Sequence, residues 1–245
     1  KLLLILLCLP MIFSCGENKN SLTKANIKGN VKEIIEREYE ANEDFGKPQK
    51  ENLRSFNKCQ YNEYGNLTEF TNYNTDGEIT TKKKYELDYD GNITEETEYN
   101  ADGEINCKSI YQYDEDGNAA EAILYNADGE IFAKSKQKYN GDGNMTEIEM
   151  FEDGEMMGQY KNKYDINGSV NEQTYYNEDG DIFITTKYQR DDDGNITDMT
   201  FFNVDVEISK KYQYDEFDKL KNWIVKLEYT DDTLTNITER EIEYY

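Results

Sequence analysis

No histidine occurs in these 245 residues, and the four cysteines form no Cys-x-x-Cys pair. Their absence excludes zinc sites of the usual nitrogen and sulfur kind, haem attachment and any His-dependent triad or general base. Proline is held to two residues and tryptophan to one, Trp223. Basic residues are also scarce: 27 Lys and Arg stand against 52 Asp and Glu, a net charge of −25 spread along the chain. Such a surface repels nucleic acid and anionic lipid, which excludes a nucleic-acid partner and suits cations or basic partners. Aliphatic side chains are too few for a thick core, and 21 Tyr supply much of the apolar surface. The regular placing of Tyr, Ile and Gly argues against the disorder that acidic, hydrophobe-poor chains often show.

The one long apolar run, "KLLLILLCLPMIFSC", fills residues 1–15 and is too short to span a bilayer. It reads as a secretory signal whose start, without Met, is cut short. Its end, Ile12-Phe13-Ser14-Cys15 before Gly16, resembles a bacterial lipobox, in which a small residue precedes the Cys that becomes the lipidated first residue. That resemblance implies a lipid anchor at Cys15 and hence a membrane as partner. The implied address is the cell envelope, on the surface or periplasmic side of the outer membrane. Residues 16–28 then read as a polar tether, and 29–245 as a single domain. Cys59 and Cys107 belong to that domain. They are expected four strands apart, ~19 Å at ~4.8 Å per strand against the ~7 Å a disulfide allows, so both are expected as free thiols.

Within the domain a 26-residue unit repeats. Glycine recurs at 65, 77, 91, 103, 117, 129, 143, 154, 168, 180 and 194, in turns of the form Asn/Asp-x-Asp/Asn-Gly such as Asn100-Ala101-Asp102-Gly103. The first side chain bonds forward to the backbone and Gly takes positive φ, giving a three-residue hairpin loop with a type I turn and bulge. Glu152-Asp153-Gly154-Glu155 is one residue shorter and predicts a two-residue type I′ loop. Hairpins in series predict an all-β antiparallel meander of tandem two-strand repeats, about sixteen strands in a long sheet whose intrinsic twist winds it into a coil or open roll. Residues 41–53, with Pro48, read as an irregular loop, and the repeat degenerates after about residue 204, where Val206 and Asp218 stand at Gly positions.

Register follows from the turns. Tyr99 should face Ile105, Glu95 face Ser109, Tyr113 face Ala119 and Tyr111 face Glu121. One face would then collect Ile93, Thr97, Tyr99, Cys107, Tyr111 and Tyr125, while Glu96, Glu98, Lys108 and Gln112 line a wet face with a Glu96-Lys108 pair.

"YQYDEDGN", "YELDYDGN" and "NKYDINGS" resemble the YD repeat of bacterial Rhs-type proteins, whose tandem units build a wound β-sheet. "YNADGEI" and "YNEDGDI" alternate with them as in repeat lipoproteins of Bacteroidetes-type bacteria and, more distantly, MORN-like antitoxin repeats. The resemblance covers roughly residues 29–245. It implies a β-repeat scaffold, and through the MORN-like similarity an antitoxin or immunity-like role with a basic toxin as partner. The chain is too short to enclose a toxin as Rhs shells do.

A column of acids runs through the repeats: Glu69, Glu95, Glu121, Glu147, Glu172 and Asp198. With Tyr85 and Tyr111 placed opposite, it is a candidate binding face for sugar hydroxyls or a basic peptide, since aromatic faces stack on pyranoses and carboxylates accept their hydrogen bonds. The competing reading gives each acid a neighbouring hydroxyl and a purely structural role. Successive members lie on the order of 9.5 Å apart, at or beyond the wide end for inverting glycosidases, and none differs from the rest. No catalytic residue is therefore expected. The turns echo the first half of an EF-type loop, but Ser109 stands where the bidentate carboxylate should be, so neither metal nor cofactor is expected. The sequence thus reads as a non-enzymatic binding or scaffolding lipoprotein, with a glycan or protein partner.

Overall fold

A computed structural model of the chain describes residues 20–203 and 205–245. Among the described residues lie one short helix, α1 (Ser21–Lys24), and sixteen strands: β1 (Val31–Asp44), β2 (Lys47–Tyr61), β3 (Leu67–Tyr73), β4 (Ile79–Leu87), β5 (Ile93–Tyr99), β6 (Ile105–Tyr113), β7 (Ala119–Asn126), β8 (Ile131–Tyr139), β9 (Met145–Glu152), β10 (Glu155–Tyr164), β11 (Val170–Asn177), β12 (Ile182–Arg190), β13 (Ile196–Phe202), β14 (Glu207–Tyr214), β15 (Val225–Thr230) and β16 (Thr233–Tyr244). The all-β meander is as expected. Its hydrogen-bonded order, however, is cyclic rather than open, because β1 pairs with β16 as well as with β2, making a closed barrel by connectivity. Two compact units make up the described chain, one of residues 84–187 and 202–206, the other of 20–83, 188–201 and 207–245.

The turn chemistry is as expected. Asn100 Oδ1 accepts from the backbone N–H of Asp102 at 3.0 Å and of Glu104 at 2.9 Å, while Gly103 takes φ +80°. Asp153 and Gly154, at φ +51° and +87°, form the type I′ loop. Three features were not expected. Residues 41–53 are no irregular loop: β1 and β2 run on past their other partners and meet at a tight Phe45-Gly46 turn, both residues at positive φ. Beyond Glu40 and before Phe56 only these two strands pair, and Pro48 sits opposite Glu43 where its missing N–H costs no central ladder bond. Lys221, at φ +64°, rather than Asp218, occupies the Gly position of the late turn, and Asp218 Oδ1 is its forward acceptor. The proposed tether is folded from Asn20 onward, with Leu22 and Ile27 buried against Val31, Ile34 and Tyr61.

The register differs from expectation because the three-residue hairpins between β5 and β9 carry a second irregularity. Tyr99 faces Ile105, but Glu98 then faces Cys107, so the strand returning from the turn holds one extra residue; the same slip recurs at Tyr113/Ala119, Tyr125/Ile131 and Tyr139/Met145. A one-residue shift exchanges the two faces of a strand. Hence Glu95 faces Ile110, Tyr111 faces Ala122, and Glu96 faces Ser109. Glu96 and Glu98, expected on the wet face, are buried beside Cys107 and Ser109, and Lys108 pairs with Glu95 instead of Glu96.

In the first unit the packed face holds Cys107, Tyr111, Ala122, Leu124, Ala133, Met150 and Tyr175, with Ile148, Tyr160 and Ile184 against them. Tyr111 stands opposite Ala122 and the Tyr175 ring lies over Gly158, so small residues make room for these two rings. In the second unit, Leu227, Leu234 and Ile237 form a further cluster with Ala41 and Val225. Cys59 and Cys107 are free thiols.

A tyrosine bond repeats through both units. A Tyr ending a strand donates its hydroxyl to a carbonyl about twenty residues earlier, before a Gly-Asn or Gly-Ser turn at Tyr113 (to Ile93 O, 2.7 Å), Tyr139 (to Ala119 O, 2.9 Å) and Tyr164 (to Met145 O, 2.6 Å), and before the late Lys221-Asn222 turn at Tyr214 (to Ile196 O, 2.9 Å). Burial pushes the hydroxyls of Tyr113 and Tyr214 up to about 12, so they stay protonated donors. Tyr139→Phe should therefore lower stability by about 1 kcal/mol, whereas Tyr89→Phe, at a fully exposed ring, should change it by less than about 0.5 kcal/mol. Urea titration of the two variants measures the difference, and equal midpoints would remove the bond from the account.

Candidate functional site

Within the first unit the acids do form a column, but on the face opposite Tyr111: Glu95, Glu121, Glu147 and Glu172 alternate with the packed side chains and each meets a Lys. Glu69, in the second unit, meets a Lys as well. Glu69 lies 2.7 Å from Lys82, Glu95 2.7 Å from Lys108, Glu121 4.0 Å from Lys134, Glu147 2.9 Å from Lys138 and Glu172 2.7 Å from Lys163. Asp198 extends the pattern, its charge helping to raise the pKa of Lys211 after the larger effect of Asp232. Lys108 and Lys163 are likewise held protonated above the ordinary range, first by the hydrogen bonds they donate to Glu95 and Glu172. Gln159 adds an amide donor to Glu147. The structure therefore supplies the partners that the competing structural reading asked for, as ammonium groups rather than hydroxyls.

Tyr111 is buried on the packed face, its hydroxyl held well above its usual pKa by burial and then by the negative charge of Glu96. Tyr85 is half-buried and close enough to act electrostatically on Tyr111. The two tyrosines and the acid column therefore share no surface, and the candidate sugar-gripping face is not assembled. A Tyr111→Ala change would report on the core and not on binding. The cause is again the bulge after each turn, which carries no distinctive residue type and so leaves no trace in the turn motif.

What reasoning from sequence missed is the set around Trp223 in the second unit. Arg240, on β16, places its guanidinium carbon 3.4 Å from the Trp223 ring centre. The same guanidinium donates to Glu36 on β1 through Nε at 2.9 Å and a terminal nitrogen at 2.6 Å. Tyr214 lies against the other aromatic, ring centres 5.7 Å apart. Cys59 lies close by, its thiol pushed up to about 12 by burial, then by the charge of Glu36, so it is no nucleophile at neutral pH. Guanidinium, indole and carboxylate satisfy one another here, which is the chemistry of a fastening and not of an open site. The lone Trp and the lone arginine of the last strand were the available signals. Among the described residues, no group of three or more acidic or Cys side chains is placed to hold a metal ion.

The lipidation candidate Cys15 lies outside the described residues. No helix of the described residues is long and apolar enough to cross a membrane.

No family model matches the sequence, and no curated protein matches it. Among solved structures, the chain is similar to a porin-like protein from Bacteroides uniformis at 13% identity and a TM-score of 0.59, with 87% of this chain and 96% of that one covered. A porin-like protein from Bacteroides vulgatus aligns at 13% identity over 89% of this chain and 99% of that one, with a TM-score of 0.48. The first likeness is one of fold: a meander of hairpins in a barrel, reached by a sequence with little else in common.

Proposed function

We propose that this chain is a non-enzymatic binding or scaffolding module of a bacterial envelope, anchored by lipid at Cys15. The observation that carries the reading is the repeated Glu–Lys pairing on one face of the strands combined with an opposite face packed with aliphatic and Tyr side chains. A lipid-spanning barrel needs an apolar band on its outer face, and each Lys or Arg at mid-membrane depth costs ~2–4 kcal/mol. Lys82, Lys108, Lys138 and Lys163 would each incur that cost, and the other face is filled by its own packing. The fold of a porin-like protein is thus used here with a surface made for water, which supports a body held beside a membrane rather than within one. Equivalent ion pairs on successive hairpins offer an extended, polar, unspecialised surface, suited to contact with another macromolecule and lacking the asymmetry that a catalytic pair requires.

Expression of the full chain with labelled palmitate in a Gram-negative host tests the anchor. The expected result is label in the wild type, sedimentation with membranes, and loss of both in Cys15→Ala with the protein released to the soluble fraction. An unlabelled, soluble wild type would sink the envelope-anchored reading.

A further inference from the structure

Residues 20–28 are not a free tether but a strap across three turns of one unit. Asn20 Nδ2 donates to Tyr64 O at 2.6 Å and Leu22 N to Gly65 O at 3.1 Å. Asn26 Nδ2 donates to Asp193 O at 2.9 Å. Lys28 N donates to Asn222 Oδ1, and Asn222 Nδ2 returns a bond to Lys28 O, both at 2.8 Å. Beneath the strap, Leu22 and Ile27 are buried in a cluster with Val31 and Tyr61. Asn20 is therefore fixed to the rim formed by turns 62–66, 191–195 and 218–222.

Only Gly16 to Lys19 separate Cys15 from Asn20. Five Cα-to-Cα steps reach at most ~18 Å, whatever path they take. The same rim exposes Tyr64, Phe217, Leu220 and Tyr245, amphipathic and apolar side chains of the kind that settle at a headgroup boundary. Its charges, Lys28 beside Asp193 among them, do not favour an anionic surface. At the far end of the same unit, β1 and β2 carry the Phe45 turn away from the rim. Fourteen residues of β1 at ~3.3 Å each make about 46 Å, and Phe45 is 98% exposed.

We propose that the strap-covered rim is a membrane-facing surface, seated at the headgroups of a zwitterionic bilayer, and that the Phe45 turn projects away from it. The proposal rests on acylation at Cys15. Its test uses the acylated full chain in phosphatidylethanolamine-rich vesicles with acceptor-labelled headgroups, and a donor attached at Asp192→Cys or at Phe45→Cys. Cys59, which is half-buried, and Cys107, which is buried, are replaced by Ala in both labelled chains so that the donor sits at one position only. Energy transfer from position 192 should exceed that from 45 at least threefold. Equal transfer, or more from 45, in a chain that carries palmitate overturns the orientation and leaves the anchor standing. A chain that carries no palmitate overturns the anchor, and the orientation with it.

Discussion

Gly158→Val is expected to destabilise the protein by about 3 kcal/mol, a fall of roughly 6–12 °C in melting temperature for a chain of this size. Gly158 lies on β10 under the ring of Tyr175 from β11. A Cβ at that position would press on the Tyr175 hydroxyl and come within 2.7 Å of both its Cε2 and the backbone carbonyl oxygen of Tyr176. A ring can turn about its side-chain torsions; the carbonyl belongs to the ladder and does not move. Tyr175 is itself buried in the cluster with Leu124 and Met150, 4.8 Å from the Tyr160 ring centre and 6.0 Å from that of Phe183, so displacing it opens several contacts together. Gly141→Ala is the matched control. No heavy atom lies within 4 Å of a Cβ built there, and its φ falls outside the positive range, so that change should be neutral or slightly stabilising. Calorimetry of both variants decides the matter: a Gly158→Val midpoint within 2 °C of wild type would mean that the packed face is loose.

That glycine shows where sequence and structure part. The turn glycines were legible because each sits in a motif whose chemistry is local: Asn100 or Asp114 reaches its own backbone two and four residues on, and positive φ selects Gly. Strand number and meander order follow from such turns alone. Gly158 breaks the pattern in sequence, but its reason lies on the neighbouring strand. The acid column was legible as a column for the same local reason, its spacing being that of the repeat. Its partners were not, because the residue absorbed after Tyr99, Tyr113 and Tyr139 exchanges the faces, and a bulge is a compromise between twisted neighbouring strands rather than a property of one segment. The 41–53 arm was misread for a related cause. Its Phe45-Gly46 turn stands alone, with no repeat to amplify it, and Pro48 argues for a loop unless the strand is known to be unpaired on its other side. Closure was illegible too, since it depends on the last strand meeting the first.

That meeting is the second large effect. Glu36 and Arg240 are directly paired residues of β1 and β16, the strands nearest the two chain ends, and the guanidinium joins them while lying on Trp223. Arg240→Ala should cost about 3 kcal/mol, because it strands a partly buried carboxylate and uncovers the indole together. Arg240→Lys should recover little, since an ammonium can neither bond both nitrogen positions nor lie flat on the ring. Trp223 is the only tryptophan, so its emission reads the site directly. Both variants should shift the emission, and a Glu36→Gln change should shift it less. The double variant Glu36→Gln/Arg240→Ala should be less destabilised than the sum of the singles, by a coupling of roughly 1–3 kcal/mol. Additive losses with unchanged emission would mean that the first and last strands are held by their backbone ladder alone. A sub-additive loss would instead make this side-chain triad the fastening of the seam, with the rest of the meander needing only its turns.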